Sequence, residues 1–266
     1  MVDWKKIDTY AKSWIREAGE EIRHSFNHTL DIETKSNRND LVTNIDKQTE
    51  QFFIEKIKKV FPDHKILGEE GFGDEFDSLH GIIWIIDPID GTMNFIHQQR
   101  NFAISIGIYK DGIGYIGLIY DVVNDELYHA IKGEGAYLNN RKLHPLKETK
   151  VAEAIIALNV TWVIKNNRID PSILTRLALD VRGTRSYGSA AIELASIAAG
   201  RIDAYFTLRL SPWDFAAGLV LLEEVGGLVT TLNGEPLNLL EQNSIFASKP
   251  GLHQEIMEKY LHNGDW

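Results

Sequence analysis

Ile82-Ile83-Trp84-Ile85-Ile86-Asp87-Pro88-Ile89-Asp90-Gly91-Thr92-Met93-Asn94-Phe95 reads as a buried strand running into a charged turn. The large apolar residues from Ile82 to Ile86 have the length of a strand covered on both faces, and two carboxylates flanking a proline end it abruptly. Pro88 has a fixed φ and drives Asp87 toward extended backbone, so Asp87 and Asp90 can converge on one point while the Ile89 carbonyl stays free. Three hard oxygens then face one small volume. Gly91 and Thr92 are expected to open a helix whose unpaired amides attract an anion beside whatever cation the carboxylates hold. D-P-x-D-G is also an ordinary turn sequence, and alone it fits a loop as well as a site.

The surrounding chain narrows the choice. Its 266 residues, 44% hydrophobic and 10% aromatic, can bury a full core. A net charge of -10 argues against nucleic acid or an anionic membrane as the main partner, so an anionic substrate has to be met locally. The chain has no cysteine, which removes disulfides, thiolate zinc sites and cysteine nucleophiles. Met1 to Lys12 lacks an apolar segment of the leader type, and no apolar run approaches the ~20 residues of a membrane span. A cytoplasmic location is the expectation.

Apolar spacing predicts a helix from Trp4 to about Phe26 and another from Asn44 to Val60 with Pro62 beyond it. Strands are expected at Ile66–Leu67, Ile82–Ile86, Ala103–Lys110 and Tyr115–Tyr120, the last two joined by an Asp111-Gly112 hairpin turn. Residues 1–149 therefore read as helices on a mostly antiparallel sheet. Beyond Lys147–Ala152 the pattern alternates: strand Ala154–Asn159, helix Pro171–Leu179, a strand near Arg182, helix Ser189–Ala199, strand Asp203–Leu208, helix Asp214–Val225, strands Leu228–Leu232 and Ser244–Ser248, and helix Leu252–Leu261. Residues 150–266 form an α/β half. No repeat or long linker separates the halves, so they are expected to share an extensive interface.

Further acidic residues stand where elements begin or end. Glu69 and Glu70 follow a short strand through Gly68, Asp46 lies near the start of the second helix, and Asp214 follows Pro212 and Trp213. Each has a plain structural reading, as surface, solvated helix face or helix cap. Their joint occurrence points elsewhere. Gly68-Glu69-Glu70, Trp84 to Phe95, Asp40 to Asp46, Gly183 to Ala191 and Trp213 to Gly218 together resemble the inositol monophosphatase family of lithium-sensitive, Mg2+-dependent phosphatases, in the same order and over nearly the whole chain.

The resemblance implies a layered αβαβα sandwich of the inositol monophosphatase and fructose-1,6-bisphosphatase type, a mixture of α+β and α/β character. It implies that Glu69, Asp87, Asp90, Asp214 and the Ile89 carbonyl hold two or three Mg2+ ions, with Mn2+ a possible substitute, and that Glu70 and Asp46 support them. The Gly91 and Thr92 amides would contact the phosphate, and Asp46 and Thr92 would orient the attacking water. The chemistry of the residues agrees, since an all-oxygen donor set suits Mg2+ or Mn2+. Two such ions can acidify a bound water and neutralise a leaving oxygen during in-line displacement. A threonine hydroxyl can accept from that water while donating to Asp46. Relatives of this kind are commonly dimeric, so a homodimer is expected.

The implied reaction is hydrolysis of a small phosphate monoester, inositol phosphate first. Animal members carry a ring-binding glutamate seven residues before the last metal aspartate, and that position here is Thr207. Arg209, with Arg185, could instead recognise a second phosphate or a larger anionic substrate, or both could equally sit in structural ion pairs. Ser186 and Ser189 read as helix-opening residues that could face substrate, rather than as nucleophiles. Bisphosphorylated sugars and the 2'-phosphate of NADP(H) thus stand beside inositol phosphate, alone or with dual specificity. A catalytically silent metal- or phosphate-binding regulator is the rival of another class, and retention of Thr92 and Asp46 speaks against it. Gly112, Gly114 and Gly117 spell G-x-G-x-x-G, but Leu118 to Val123 continue as strand rather than the helix a dinucleotide site needs. His24 and His28 lack a nearby third ligand and read as a solvated helix end.

Overall fold

A computed structural model describes residues 2–35, 41–74, 78–164 and 167–262. In chain order, α1 (Trp4–Ser25), β1 (Ile32–Thr34), β2 (Leu41–Thr43), α2 (Asn44–Val60), β3 (Lys65–Gly68), β4 (Ile82–Asp90), α3 (Thr92–Gln98) and β5 (Ala103–Lys110) come first. β6 (Ile113–Asp121), β7 (Glu126–Ile131), β8 (Gly135–Leu138), β9 (Arg141–Lys142), β10 (Ile155–Leu158), α4 (Val160–Val163) and α5 (Pro171–Asp180) follow. β11 (Gly183–Arg185), α6 (Ala190–Ala198), β12 (Ala204–Leu210), α7 (Pro212–Val225), β13 (Leu228–Thr230), β14 (Asn243–Ser248) and α8 (Leu252–Lys259) complete the chain.

Strands β3 to β9 form one sheet in sequential order, antiparallel except for the β3–β4 pair. A second sheet runs β11-β10-β12-β14-β13, parallel on its β11-β10-β12 side. Both sheets are covered on both faces, which is why their central strands read as unbroken apolar runs. In β4, Trp84 and Ile86 join Trp14, Ile15 and Phe53 of α1 and α2, while Ile83 and Ile85 join Leu194, Phe215 and Leu221 of α6 and α7. Alternation repeats in the second sheet, where Tyr205 turns to α6 and α7 and Phe206 packs with Leu174 of α5 and Ile256 of α8. Three cores therefore separate five layers: α1 and α2, the large sheet, α6 and α7, the small sheet, α5 and α8.

Helix α2 begins and ends where the sequence predicts, and the β5–β6 turn takes positive φ at Asp111 (51°) and Gly112 (80°), as a tight hairpin requires. Strand β4 departs from expectation. Rather than stopping at Ile86, it continues through a bulge in which Pro88 and Ile89 stand opposite Ile104, and pairing resumes at Asp90 with Ala103. Proline is tolerated there because the ladder is already interrupted. The short strands β1, β2, β8 and β9 and the single turn α4 carry no sequence expectation, being brief, and neither does β7, an interior strand whose Glu126 and His129 interrupt its apolar run. Asp40, the first residue of one motif block, lies outside the described residues.

Candidate active site

The bulge in β4 aims Asp87 and Asp90 at the same point. Asp87 is 1% exposed and its Oδ1 accepts the Ile89 N–H at 2.9 Å, so the backbone of the bulge holds the carboxylate. Asp90 is held by α6: the Ser189 hydroxyl and the Ala191 N–H (2.7 Å) both donate to its Oδ2. Asp214 arrives on α7, where it completes a capping box by accepting the Ser211 N–H at 2.7 Å. One ligand atom from each of Asp87, Asp90 and Asp214 lies within 4.8 Å of the others. Glu69, directly after β3, lies near enough to Asp87 for the two carboxylates to repel one another.

Burial raises all four acids. Asp90 is pushed up to about 6, and Asp87 and Asp214 rise well above the usual carboxylate range through burial and then through repulsion from their acidic neighbours. Glu69 is raised by burial against the pull of Lys35, whose Nζ lies 3.1 Å from Glu69 and 2.7 Å from Glu70. A buried, oxygen-only set at this spacing fits a hard divalent cation, and the Ile89 carbonyl stands at the same bulge.

Asp46 and Thr92 meet beside this cluster. Asp46 is wholly buried in the first turn of α2, where its Oδ2 accepts the Thr43 N–H at 2.9 Å and its Oδ1 faces the Thr92 hydroxyl at 3.1 Å. Thr92 Oγ1 also lies 3.1 Å from the Ile89 carbonyl. Burial pushes Asp46 up to about 6. Gly91, at φ 96°, makes the left-handed turn into α3 with the Asn101 and Gly188 carbonyls close to where a Cβ would stand.

Two clefts open onto the cluster. One, of about 250 Å³, is lined by Asp90, Ser186, Glu193, Thr207 and Asp214 among others. Another, of about 270 Å³, is lined by Lys35, Glu69, Arg209, Trp213, Asp214 and Gln242. Arg185 joins neither. It is exposed on the edge strand β11, with its guanidinium donating to the Thr184 carbonyl at 2.8 Å. His28 Nδ1 packs against the His24 carbonyl rather than a shared ligand, and Gly114 and Gly117 lie in β6 against α7.

Sequence reasoning missed four residues here. Glu50 is buried one helical turn after Asp46 and accepts the Glu70 and Phe72 N–H groups at 2.7 and 2.9 Å, and its i+4 spacing was a readable signal. Ser189, expected to open a helix and face substrate, also braces Asp90, a role the sequence did not suggest. Glu193, 3% exposed and pushed by burial up to about 7, follows Asp90 into the first cleft. Lys35 carried no signal at all.

Comparison with known proteins decides the identity of this arrangement. The profile of the Inositol monophosphatase family matches residues 3–263. The chain belongs to that family. It is 65% identical over 262 residues to the inositol-1-monophosphatase of Bacillus subtilis (strain 168), covering 98% of this chain and 99% of that protein. The crystal structure of inositol monophosphatase-II from Staphylococcus aureus MSSA476 superposes with a TM-score of 0.89 at 47% identity, covering 97% of this chain and 94% of that one. An IMPase/NADP phosphatase complexed with Mg2+ and phosphate superposes with a TM-score of 0.87 at 29% identity, covering 96% and 94%. The protein is accordingly a phosphate-monoester hydrolase of the layered inositol monophosphatase fold. No described helix is long and apolar enough to cross a membrane.

Proposed function

We propose that the chain hydrolyses inositol monophosphate to inositol and phosphate, with two or three Mg2+ ions held by Glu69, Asp87, Asp90, Asp214 and the Ile89 carbonyl, and Mn2+ an acceptable substitute. Bound there, the metal supplies Lewis-acid charge for the phosphoryl oxygens and lowers the pKa of water. Every other task falls to the protein. The amides of Gly91 and Thr92 bind the phosphate, and Glu70, held by Lys35 and Glu50, braces Glu69. Thr92 accepts from the attacking water and passes its own proton toward Asp46, whose raised pKa of about 6 suits a proton acceptor near neutrality. The leaving alcohol occupies the cleft lined by Ser186, Glu193 and Thr207, where hydroxyl and carboxyl groups match a polyol.

The Thr92–Asp46 pair carries this reading, because a metal-binding regulator needs the carboxylates but has no use for a hydroxyl relay beside them. The test is phosphate release from inositol 1-phosphate, with Mg2+ and with chelator, for wild type and Asp87→Asn. Mg2+-dependent release that the substitution lowers by ~100-fold or more is expected. Equal rates in the two proteins, or no release by wild type, would falsify it.

A further inference from the structure

Positive charge gathers at the far end of α6 from Asp90. The helix opens with the residues that hold Asp90 and ends at Ala198, roughly 13 Å further along its axis. There, Ala198, Ala199 and Gly200 and the segment leading out of β9 enclose a groove of about 250 Å³. Arg141, Lys142, His144, Lys147 and Lys249 line it, and among the described residues no carboxylate does. A lining of one sign is unexpected in a chain of net charge -10.

Local structure does not use up this charge. Lys249 is neutralised by Asp203 at 2.6 Å, but the side chains of Arg141, His144 and Lys147 make no hydrogen bond or ion pair among the described residues. Lys142 reaches only the Glu134 carbonyl at 3.4 Å and the face of Tyr137. Glu126, whose carboxyl feels Arg141, is already gripped by both terminal guanidinium nitrogens of Arg201 at 2.6 Å. Nor does the end of α6 call for cations, because the Ala199, Gly200 and Arg201 N–H groups already meet the carbonyls of Ala195, Ile197 and Ser196. Strand β9 is the outer strand of the large sheet, and charge on an edge strand discourages pairing between molecules. That accounts for Arg141 and Lys142 but not for His144 and Lys147, which lie beyond the strand. The main-chain N–H groups of His144 and Lys147 also lack an acceptor among the described residues. Guanidinium, ammonium and free amides without a carboxylate are the donor set of an anion site. The groove has the size of a small-ligand pocket rather than of a protein footprint.

We propose that this groove binds a small polyphosphate anion, at a site separate from the carboxylate cluster. Its occupancy does not depend on which ester the cluster hydrolyses. The test is isothermal titration with tripolyphosphate of protein stripped of metal and dialysed free of chelator, since without Mg2+ the carboxylate cluster repels the anion. Wild type should bind one anion per chain, and Arg141→Ala/Lys147→Ala should bind it about 10- to 100-fold more weakly, having lost two charged donors. Lys59→Glu removes the same amount of positive charge from the exposed face of α2, and its affinity should stay within about threefold of wild type. Inorganic phosphate has too few oxygens to span the cations and should bind at least about tenfold more weakly than tripolyphosphate. Circular dichroism and Tm check that both variants are folded. Absence of saturable binding to wild type, equal affinity in the double variant, or a loss of the same size in Lys59→Glu overturns the proposal. Hexaglutamate binding as tightly as tripolyphosphate also overturns it, and would mark the groove as a dock for acidic peptide.

Discussion

Thr92 and Asp46 lie 46 positions apart in sequence and 3.1 Å apart in space, and the smallest change that separates their roles is the loss of one hydroxyl. Thr92→Ala is expected to reduce kcat by ~10²- to 10⁴-fold, the range of a lost proton-transfer partner, while Thr92→Ser keeps most of the rate. Steady-state kinetics on inositol 1-phosphate checks both, and a Thr92→Ser enzyme as slow as Thr92→Ala would show that the methyl group rather than the hydroxyl matters. The residues at this scale differ in how visible they were. Asp87, Asp90 and Asp214 advertise themselves because proline, glycine and tryptophan mark the turns they sit on. Asp46 and Glu50 share one face of α2 at i+4, a readable spacing that was followed only as far as Asp46. Lys35 gave nothing to read, because an isolated lysine in a polar stretch looks the same whether its ammonium meets water or two glutamates.

Helix α7 links packing to chemistry, since it carries Asp214 at its first turn and lies against β6 along most of its length. Close approach depends on absent side chains. A Cβ at Gly117 would come 2.4 Å from the Ala217 carbonyl oxygen, and one at Gly114 would come 2.7 Å from Val220 Cγ2. Gly117→Ala is therefore expected to destabilise the fold by ~1 to 3 kcal/mol, as overpacking does, and to weaken Mg2+ binding by displacing Asp214. Denaturant melts and Mg2+ titrations measure the two effects, and a variant with wild-type stability would show that helix and sheet are not in contact there. The elements themselves were largely legible, because strands buried on both faces appear as apolar runs and amphipathic helices keep their period. The continuation of β4 was not, because a bulge changes pairing without changing composition, and proline at position 88 looks the same at the end of a strand as within its interruption.

For the molecule as a whole, the cluster is a folding cost that a cation relieves. Asp46 and Asp90 have folded-state pKa values of about 6 against 3.8 in a free side chain, so the folded protein binds more protons than the unfolded one between about pH 4 and pH 6. Stability of the chelator-treated protein should therefore fall as pH rises through that window, by at most ~3 kcal/mol per group. Mg2+ competes with those protons, so its stabilisation of the fold should grow from pH 5 to pH 7.5, reaching ~2.7 kcal/mol at a hundredfold excess over Kd and raising Tm accordingly. Asp214→Asn should abolish most of that gain. Thermal melts across pH with and without Mg2+ check the signs, and a Tm that rises with pH in chelator would refute them. The sequence alone determined the secondary-structure periods, the charged turns and the chemical type of the ligands, because these are local properties of residue order. Tertiary structure alone decided that β4, α6 and α7 bring Asp87, Asp90 and Asp214 within 4.8 Å, that Lys35 reaches Glu69 and Glu70, and that Arg209 rather than Arg185 enters the cleft. Those outcomes depend on how separately formed elements pack and on the bulges that redirect single side chains, and neither is written in the spacing of residues along the chain.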